Sequence, residues 1–327
     1  MTVEMINTYD LVAVGGITID HIFIVNTLPS KNIASRILAY SRSFGGRAPN
    51  VAINLRKLGL GTAIISVAGN DFKSSGYMDY LGKLGIPSKG IVINSSKATT
   101  QVYIFTDKTG ENYTFVNVGS EEIDGTIITN NRSLWGMIIK KAKILHISSG
   151  NPKLNVELAF MYKKYRQNGL ISFDVGNDVF YHNANYLHKI LSLSDFIFMN
   201  NEEYIYLIKQ LNLENIYQII TKYLPIKCVG IIKRNRSIDL YIPTDELILR
   251  TQALKPSLLM DFTGTSDAFV SGILYGYLTS RSWKESVAIA QILIKNVGNH
   301  IGAHINCIAP KLELAQELNN IEVIKYG

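Results

Sequence analysis

The sequence predicts an α/β fold, with a central, mostly parallel and doubly wound sheet that carries helices on both faces and a small β-sheet beside it. Short apolar, β-branched runs recur at residues 11–14, 63–67, 144–147, 170–173, 196–199 and 229–232. Such near-continuous runs mark strands buried on both faces. Segments with helical spacing lie between them, at 50–58, 76–84, 155–167, 184–191 and 202–211. Strand and helix alternating over most of the chain argue for βαβ units.

Two stretches break that rhythm. Residues 20–44 hold HIFIV and RILAY around the turn-like LPSKN, and residues 99–118 hold QVYIFTD and NYTFVNV around Lys108-Thr109-Gly110-Glu111. The second reads as a β-hairpin. Their period of two and their distance from the βα units predict a separate small sheet, a lid formed by about 17–44 and 99–118. Two further helices are predicted at 267–278 and 283–297. No repeat, linker or low-complexity segment interrupts the chain, so residues 1–327 are expected to form one domain.

Composition narrows the function classes. With 47% apolar and 18% charged residues the chain can bury a large core. The net charge of +7 favours anionic ligands. The basic residues are scattered, however, and Lys233-Arg234-Asn235-Arg236 is the densest group. A nucleic-acid partner, which favours a basic stripe or arm, is not expected. Cys228 and Cys307 have no zinc spacing and read as buried thiols in a reducing compartment. The opening MTVEMINTYDLVAVGG has no basic region ahead of an apolar one, so it reads as a first strand. No apolar run nears the roughly 18 residues that span a bilayer. A cytoplasmic protein with no membrane partner is expected.

The segment Asp261-Phe262-Thr263-Gly264-Thr265-Ser266-Asp267-Ala268-Phe269 carries the chemistry. A loop of small residues runs directly into the apolar helix FVSGILYGYL. Free N–H groups at a helix start bind anions. Asp267 falls in the first helical turn, where it serves either as a base for a hydroxyl attacking phosphorus or as an ordinary N-terminal charge. Ser43-Phe44-Gly45-Gly46-Arg47-Ala48-Pro49-Asn50 also leads into a helix. Glycines there allow a ligand close to the backbone, and an amide can both donate to and accept from hydroxyls.

These segments resemble the two signatures of the PfkB, or ribokinase-like, kinases. Residues 261–269 are similar to D-T-x-G-A-G-D-A-F, and 45–52 to G-G-x-x-x-N-x-A. The resemblance implies a ribokinase-like fold and transfer of the γ-phosphate of ATP to a hydroxymethyl group of a nucleoside or sugar. It implies Asp267 as general base and Gly264, Thr265 and Ser266 as anion hole. Asp20, at the end of GGITID, and Gly45, Gly46 and Asn50 would hold the acceptor. Phe198-Met199-Asn200-Asn201-Glu202-Glu203 resembles the N-x-x-E motif, so Asn200 would lie at the nucleotide and Glu203 would organise Mg2+ through water. Asp261, Thr263 and Gly302 fall on the nucleotide side, and a monovalent cation is a further expectation. The matches run from about 10 to 310. The segments 44–59, 146–152 and 173–178 look like those of archaeal nucleoside and adenosine kinases.

Three departures sit on the nucleotide side. Gly-Ala-Gly-Asp has become Gly264-Thr265-Ser266-Asp267, and if Ser266 needed positive φ it would be strained by about 1–2 kcal/mol. Lys233 opens a basic turn where the family has T-x-G; it is a solvated turn or a grip on ATP phosphates. Gln291 replaces a common asparagine. His146, at a strand end, reads as a packed core residue rather than a base. A phosphorylated acceptor would need extra cations, and Arg36, Arg42 and Arg47 lie near the lid. A non-catalytic nucleoside- or sugar-binding relative is the reading from another class. Exposed lid strands also leave open a homodimer through the lid.

Overall fold

Fourteen strands and ten helices are formed among the described residues, which in this computed structural model are 8–123, 125–181, 183–233, 237–252, 263–306 and 310–326. The first third of the chain holds β1 (Tyr9–Val14), β2 (Thr18–Val25), β3 (Ile37–Gly45), α1 (Arg47–Lys57), β4 (Thr62–Gly69), α2 (Tyr77–Lys83) and β5 (Ile91–Asn94). Then come β6 (Thr100–Thr106), β7 (Asn112–Asn117), α3 (Gly125–Ile139), β8 (Ala142–Ser148), α4 (Pro152–Tyr165), β9 (Leu170–Asp174), α5 (Ala184–Leu191) and β10 (Phe196–Asn200). The remainder is α6 (Asn201–Gln210), α7 (Ile216–Lys222), β11 (Cys228–Ile232), β12 (Ser237–Ile242), β13 (Leu247–Gln252), α8 (Thr265–Leu278), α9 (Trp283–Gly298), α10 (Pro310–Leu318) and β14 (Glu322–Lys325).

Ten strands form one sheet in the order β14-β13-β12-β11-β10-β9-β8-β1-β4-β5. From β11 to β5 every pairing is parallel, as the apolar runs predict. Side chains of β1 alternate between the two faces: Leu11 and Ala13 enter one core, Val12 and Val14 the other. The first core packs under α1, α2, α8 and α9, and the second under α3 to α7. Both faces are therefore dry, which is why β4 is buried at all eight positions.

The antiparallel edge β12–β14 was not expected. Its polar residues hide it: Asp239 sits fully buried in the middle of β12, held by both ends of the Arg250 guanidinium and by Lys233. Paired in this way, a charge can occupy a strand that would otherwise read as apolar.

The lid forms as the sequence predicts, from β3-β2-β6-β7. Its inner pair, β2 and β6, is parallel and its outer pairs are antiparallel. Register places Asp20 beside Val102, and Val102 beside Val116, on one face. That face overhangs the C-terminal ends of the parallel strands, the usual ligand crevice of open α/β sheets. No helix among the described residues is long and apolar enough to cross a membrane.

Candidate active site

A cleft of about 340 Å³ lies between the lid and the strand ends, a volume suited to a small molecule. Its floor is made by three chain turns that the motifs single out. In the first, β3 ends in Gly45-Gly46 and α1 begins. A Cβ on Gly45 would stand 2.0 Å from an oxygen of Asp20, and one on Gly46, whose φ is +110°, would strike the carbonyl of Gly16 at 2.1 Å. Both glycines are thus required by close approach. Asp20, held by the Thr18 hydroxyl at 2.7 Å, can then lie flat over the turn with its carboxylate in the cleft.

In the second, Gly264 caps α8 with φ of +79°, and its missing side chain admits Ala303. Ala303 is small because Gly264 rests on it, whereas Gly302 has φ of +108° and faces Ser43. Thr265 and Ser266 are helical and neither has positive φ, so the feared strain at Ser266 does not arise. Ser266 lines the cleft with Thr263, Gly264 and Asp267. Asp261 lies outside the described residues.

The third turn runs from β10 into α6. Asn200 caps the helix by accepting the N–H of Glu203, and the Glu203 carboxylate accepts the N–H of Asn200 at 2.8 Å. This reciprocal box is a known helix start. The other oxygen of Glu203 takes a 2.8 Å bond from Arg47, and the side chain is 0% exposed. Each Glu203 oxygen thus already accepts one hydrogen bond in a buried position. Glu203 anchors Arg47 from this position.

Arg47 is the centre of the floor. It forks onto both oxygens of Asp174, each at 3.0 Å, reaches Glu203, and lies 3.9 Å from Asp267. Burial opposes its charge, but Asp174, Glu203 and Asp267 outweigh burial and hold it well above the usual arginine range. Ser148 also donates to Asp174. Motif reading missed this cluster, although Asp174 ends an apolar run and Arg47 follows the glycines directly. Arg47 is thereby neutralised, Arg42 donates to the carbonyl of Ser75, and Arg36 does not line the cleft. Of the three, only Arg47 lines the cleft, and its charge is shared with Asp174, Glu203 and Asp267.

Asp267 is nearly buried and receives a 2.7 Å bond from the Asn50 amide. Burial, with help from the charges of Asp174 and Asp20, pushes its carboxyl up to about 7 against the pull of Arg47 and Asn50. A carboxylate with this affinity takes and releases a proton near neutral pH.

Three nucleotide-side expectations fall elsewhere. Lys233 pairs with Asp239 on the sheet edge. Gln291 is fully buried and donates to Thr251, so it joins α9 to β13 as a core residue and does not line the cleft. Gly302 lines a smaller pocket behind the floor, with Tyr80 and His304. His146 is a packed core residue, as expected; burial first, and Arg47 second, push it down to about 3.

The raised carboxyl has a thermodynamic consequence. Asp267 holds a proton more tightly folded, near 7, than its ordinary value of 3.8. Its contribution to stability is full below about pH 4 and is lost as pH rises through 7. Asp267→Asn is expected to unfold later in urea than wild type at pH 8, by on the order of 2–4 kcal/mol, with a smaller gain at pH 5. Equal or lower stability of the variant at pH 8 would contradict the assignment.

The chain resembles known proteins along most of its length. It matches the description "pfkB family carbohydrate kinase" over residues 9–293. It is 29% identical to a nucleoside kinase of Methanocaldococcus jannaschii over 269 residues, 82% of this chain and 83% of that one. The crystal structure of the nucleoside kinase from that organism, described as an archaeal member of the ribokinase family, superposes with a TM-score of 0.76 at 26% identity, covering 96% and 99% of the two chains. The nucleoside kinase of Burkholderia thailandensis in complex with inosine gives a TM-score of 0.80 at 18% identity, covering 95% and 98%. With a match that spans most of its length and with its two glycine turns meeting at one cleft, this chain belongs to the pfkB family of carbohydrate kinases, phosphotransferases that act on alcohol groups.

Proposed function

We propose that this chain is a single-domain, ATP-dependent nucleoside kinase in which Asp267 is the general base. The observation that carries the reading is the position of Asp267, a carboxyl with a pKa near 7 at the N-terminus of α8, in the wall shared by the acceptor cleft and the anion loop. The acceptor's O–H bond breaks and its proton passes to Asp267. Its oxygen forms the new bond to the γ-phosphorus while the bond to the β,γ-bridging oxygen breaks, its electron pair leaving with ADP. N–H groups at the start of α8 and the Ser266 hydroxyl offset charge on the moving phosphoryl group. Magnesium would enter with the phosphates of ATP, and no step here depends on a protein ligand to it. A monovalent cation is not needed for any of these steps.

Two features favour a nucleoside over a free sugar. Asp20 and the Gly45-Gly46 turn offer polar contacts at the floor, where a ribose would sit. Above them, Val102, Ile104 and Val116 present apolar surface to the cleft, with Val116 56% exposed. A base would cover that surface, whereas a pentose alone would leave it wet. Nucleoside kinases among the relatives support the same choice. ADP release with ATP and magnesium should therefore be faster, by about 10-fold or more in kcat/KM, with ribonucleosides than with ribose, fructose or sugar phosphates. Preference for a sugar phosphate, or ADP release with none of them, would overturn the proposal.

The outer face of the lid supports a homodimer. Tyr40, Tyr113 and Phe115 are 54%, 47% and 59% exposed there, in an aromatic array that includes Phe23 stacked on Phe105 at 4.7 Å. A second copy would cover it. Sedimentation velocity at micromolar concentration should give a dimer that Phe115→Lys dissociates; a wild-type monomer would refute this interface.

A further inference from the structure

Behind the acceptor side of the floor, a line of polar side chains ends on Asn50 and Asp267; its other two members, Tyr80 and His304, are marked by no motif and have no part in the proposed chemistry. The Tyr80 hydroxyl lies 2.9 Å from Nδ1 of His304, whose Nε2 lies 3.0 Å from Oδ1 of Asn50. Nδ2 of Asn50 in turn donates to Oδ2 of Asp267 at 2.7 Å. The Tyr80 and His304 rings are stacked, with centroids 5.6 Å apart. Residues 80, 304, 50 and 267 come from α2, the loop after α9, α1 and α8.

Hydrogen-bond chemistry leaves one arrangement for this line. An ionised carboxylate only accepts, so Asn50 must turn its amino group to Asp267. Its carbonyl then faces His304, which must carry its proton on Nε2. Burial, with Lys57 and His300 nearby, pushes the His304 imidazole down to about 3, so the ring is neutral and Nδ1 accepts from Tyr80. Take away the donor at 304 and only the charge of Asp267 orients the amide of Asn50. In the flipped orientation its carbonyl would meet the carboxylate of Asp267, an arrangement tolerated only when Asp267 is protonated.

We propose that His304, supported by Tyr80, is a positioning residue for the general base: it locks the Asn50 amide in the orientation that donates to Asp267 and keeps that carboxylate ionised at neutral pH. The proposal rests on Asp267 being the base, but the coupling from His304 to Asp267 exists whether or not transfer occurs. The other groups facing Asp267 are Arg47 from α1, Asp174 at the end of β9 and Asp20 from β2. Those facing His304 are Tyr80, Lys57 and His300. None of the others touches the carbonyl of Asn50 at hydrogen-bond distance among the described contacts. The backbone around His304 is held separately, by Lys57 on the carbonyl of Ile305 at 2.8 Å and by the N–H of Ile305 on Asn54 at 3.0 Å. Replacing the imidazole therefore leaves the loop anchored.

The test compares His304→Leu, which has no donor, with His304→Gln, whose amide can donate. In the pH profile of kcat/KM for the preferred nucleoside, the acid limb should move up by about one unit in His304→Leu, with about a 5-fold loss of kcat at pH 7 and an unchanged KM for ATP. His304→Gln should recover most of both. An unshifted acid limb in His304→Leu, or a glutamine variant as impaired as the leucine one, would overturn the proposal. A readout independent of activity is the pH dependence of urea unfolding in wild type and in Asp267→Asn, each with and without His304→Leu. His304 contributes its own titration equally in both backgrounds, so only coupling to Asp267 survives the subtraction. An upward shift that needs Asp267 supports the proposal even if no acceptor is phosphorylated; identical effects of His304→Leu in the two backgrounds refute it.

Discussion

The site depends on one guanidinium. Arg47 brings together carboxylates from β9, α6 and α8 that would otherwise repel one another at the floor of the cleft. Two unit charges about 4 Å apart interact by about 4 kcal/mol at an effective dielectric of 20, so an uncompensated group of acids here would protonate or spread apart. The planar fork satisfies both oxygens of Asp174 and one of Glu203 at once, which a lysine ammonium could not do. Its side chain is 23% exposed, so the cation faces the cleft while its partners stay buried. The Gly46 turn delivers it: Arg47 directly follows that positive-φ glycine as the first residue of α1.

This frame divides labour among the acids. Asp174 and Glu203 are spent on holding Arg47, and Glu203 also caps α6. Asp267 is left at 3.9 Å, too far for a hydrogen bond to the guanidinium, with the neutral amide of Asn50 as a short partner at 2.7 Å. That distance separates a structural carboxylate from a titratable one. A closer arginine would hold Asp267 ionised and too weak a base; none at all would leave it protonated at neutral pH.

Much of this was legible in the sequence. Parallel strands announced themselves because both their faces are buried, and the two lid segments because they alternate. Asp20, Gly46, Asn50, Asn200, Gly264 and Asp267 could be named because short motifs keep a turn and its functional side chain together, and the fold brings all six to one cleft. What stayed hidden is long-range. Arg47 and Asp174 are 127 residues apart, and His304 meets Asn50 across 254. No local pattern signals such a pair. The edge strands β12 and β13 were hidden by the same physics, since Asp239 and Arg250 look like surface charges until they are seen to satisfy each other. The motif at Glu203 likewise gives the residue type but not its partner, Arg47, which lies 156 residues away.

The central claim is that Asp267 removes the acceptor's proton and does little else for binding. Transfer of radiolabelled γ-phosphate from ATP to a ribonucleoside, measured for wild type and Asp267→Asn beside calorimetric affinity for the same nucleoside, tests it directly. The account predicts a variant that binds the nucleoside within a few-fold of wild type and transfers about 10²–10⁴ times more slowly. Transfer by Asp267→Asn at near the wild-type rate would contradict it.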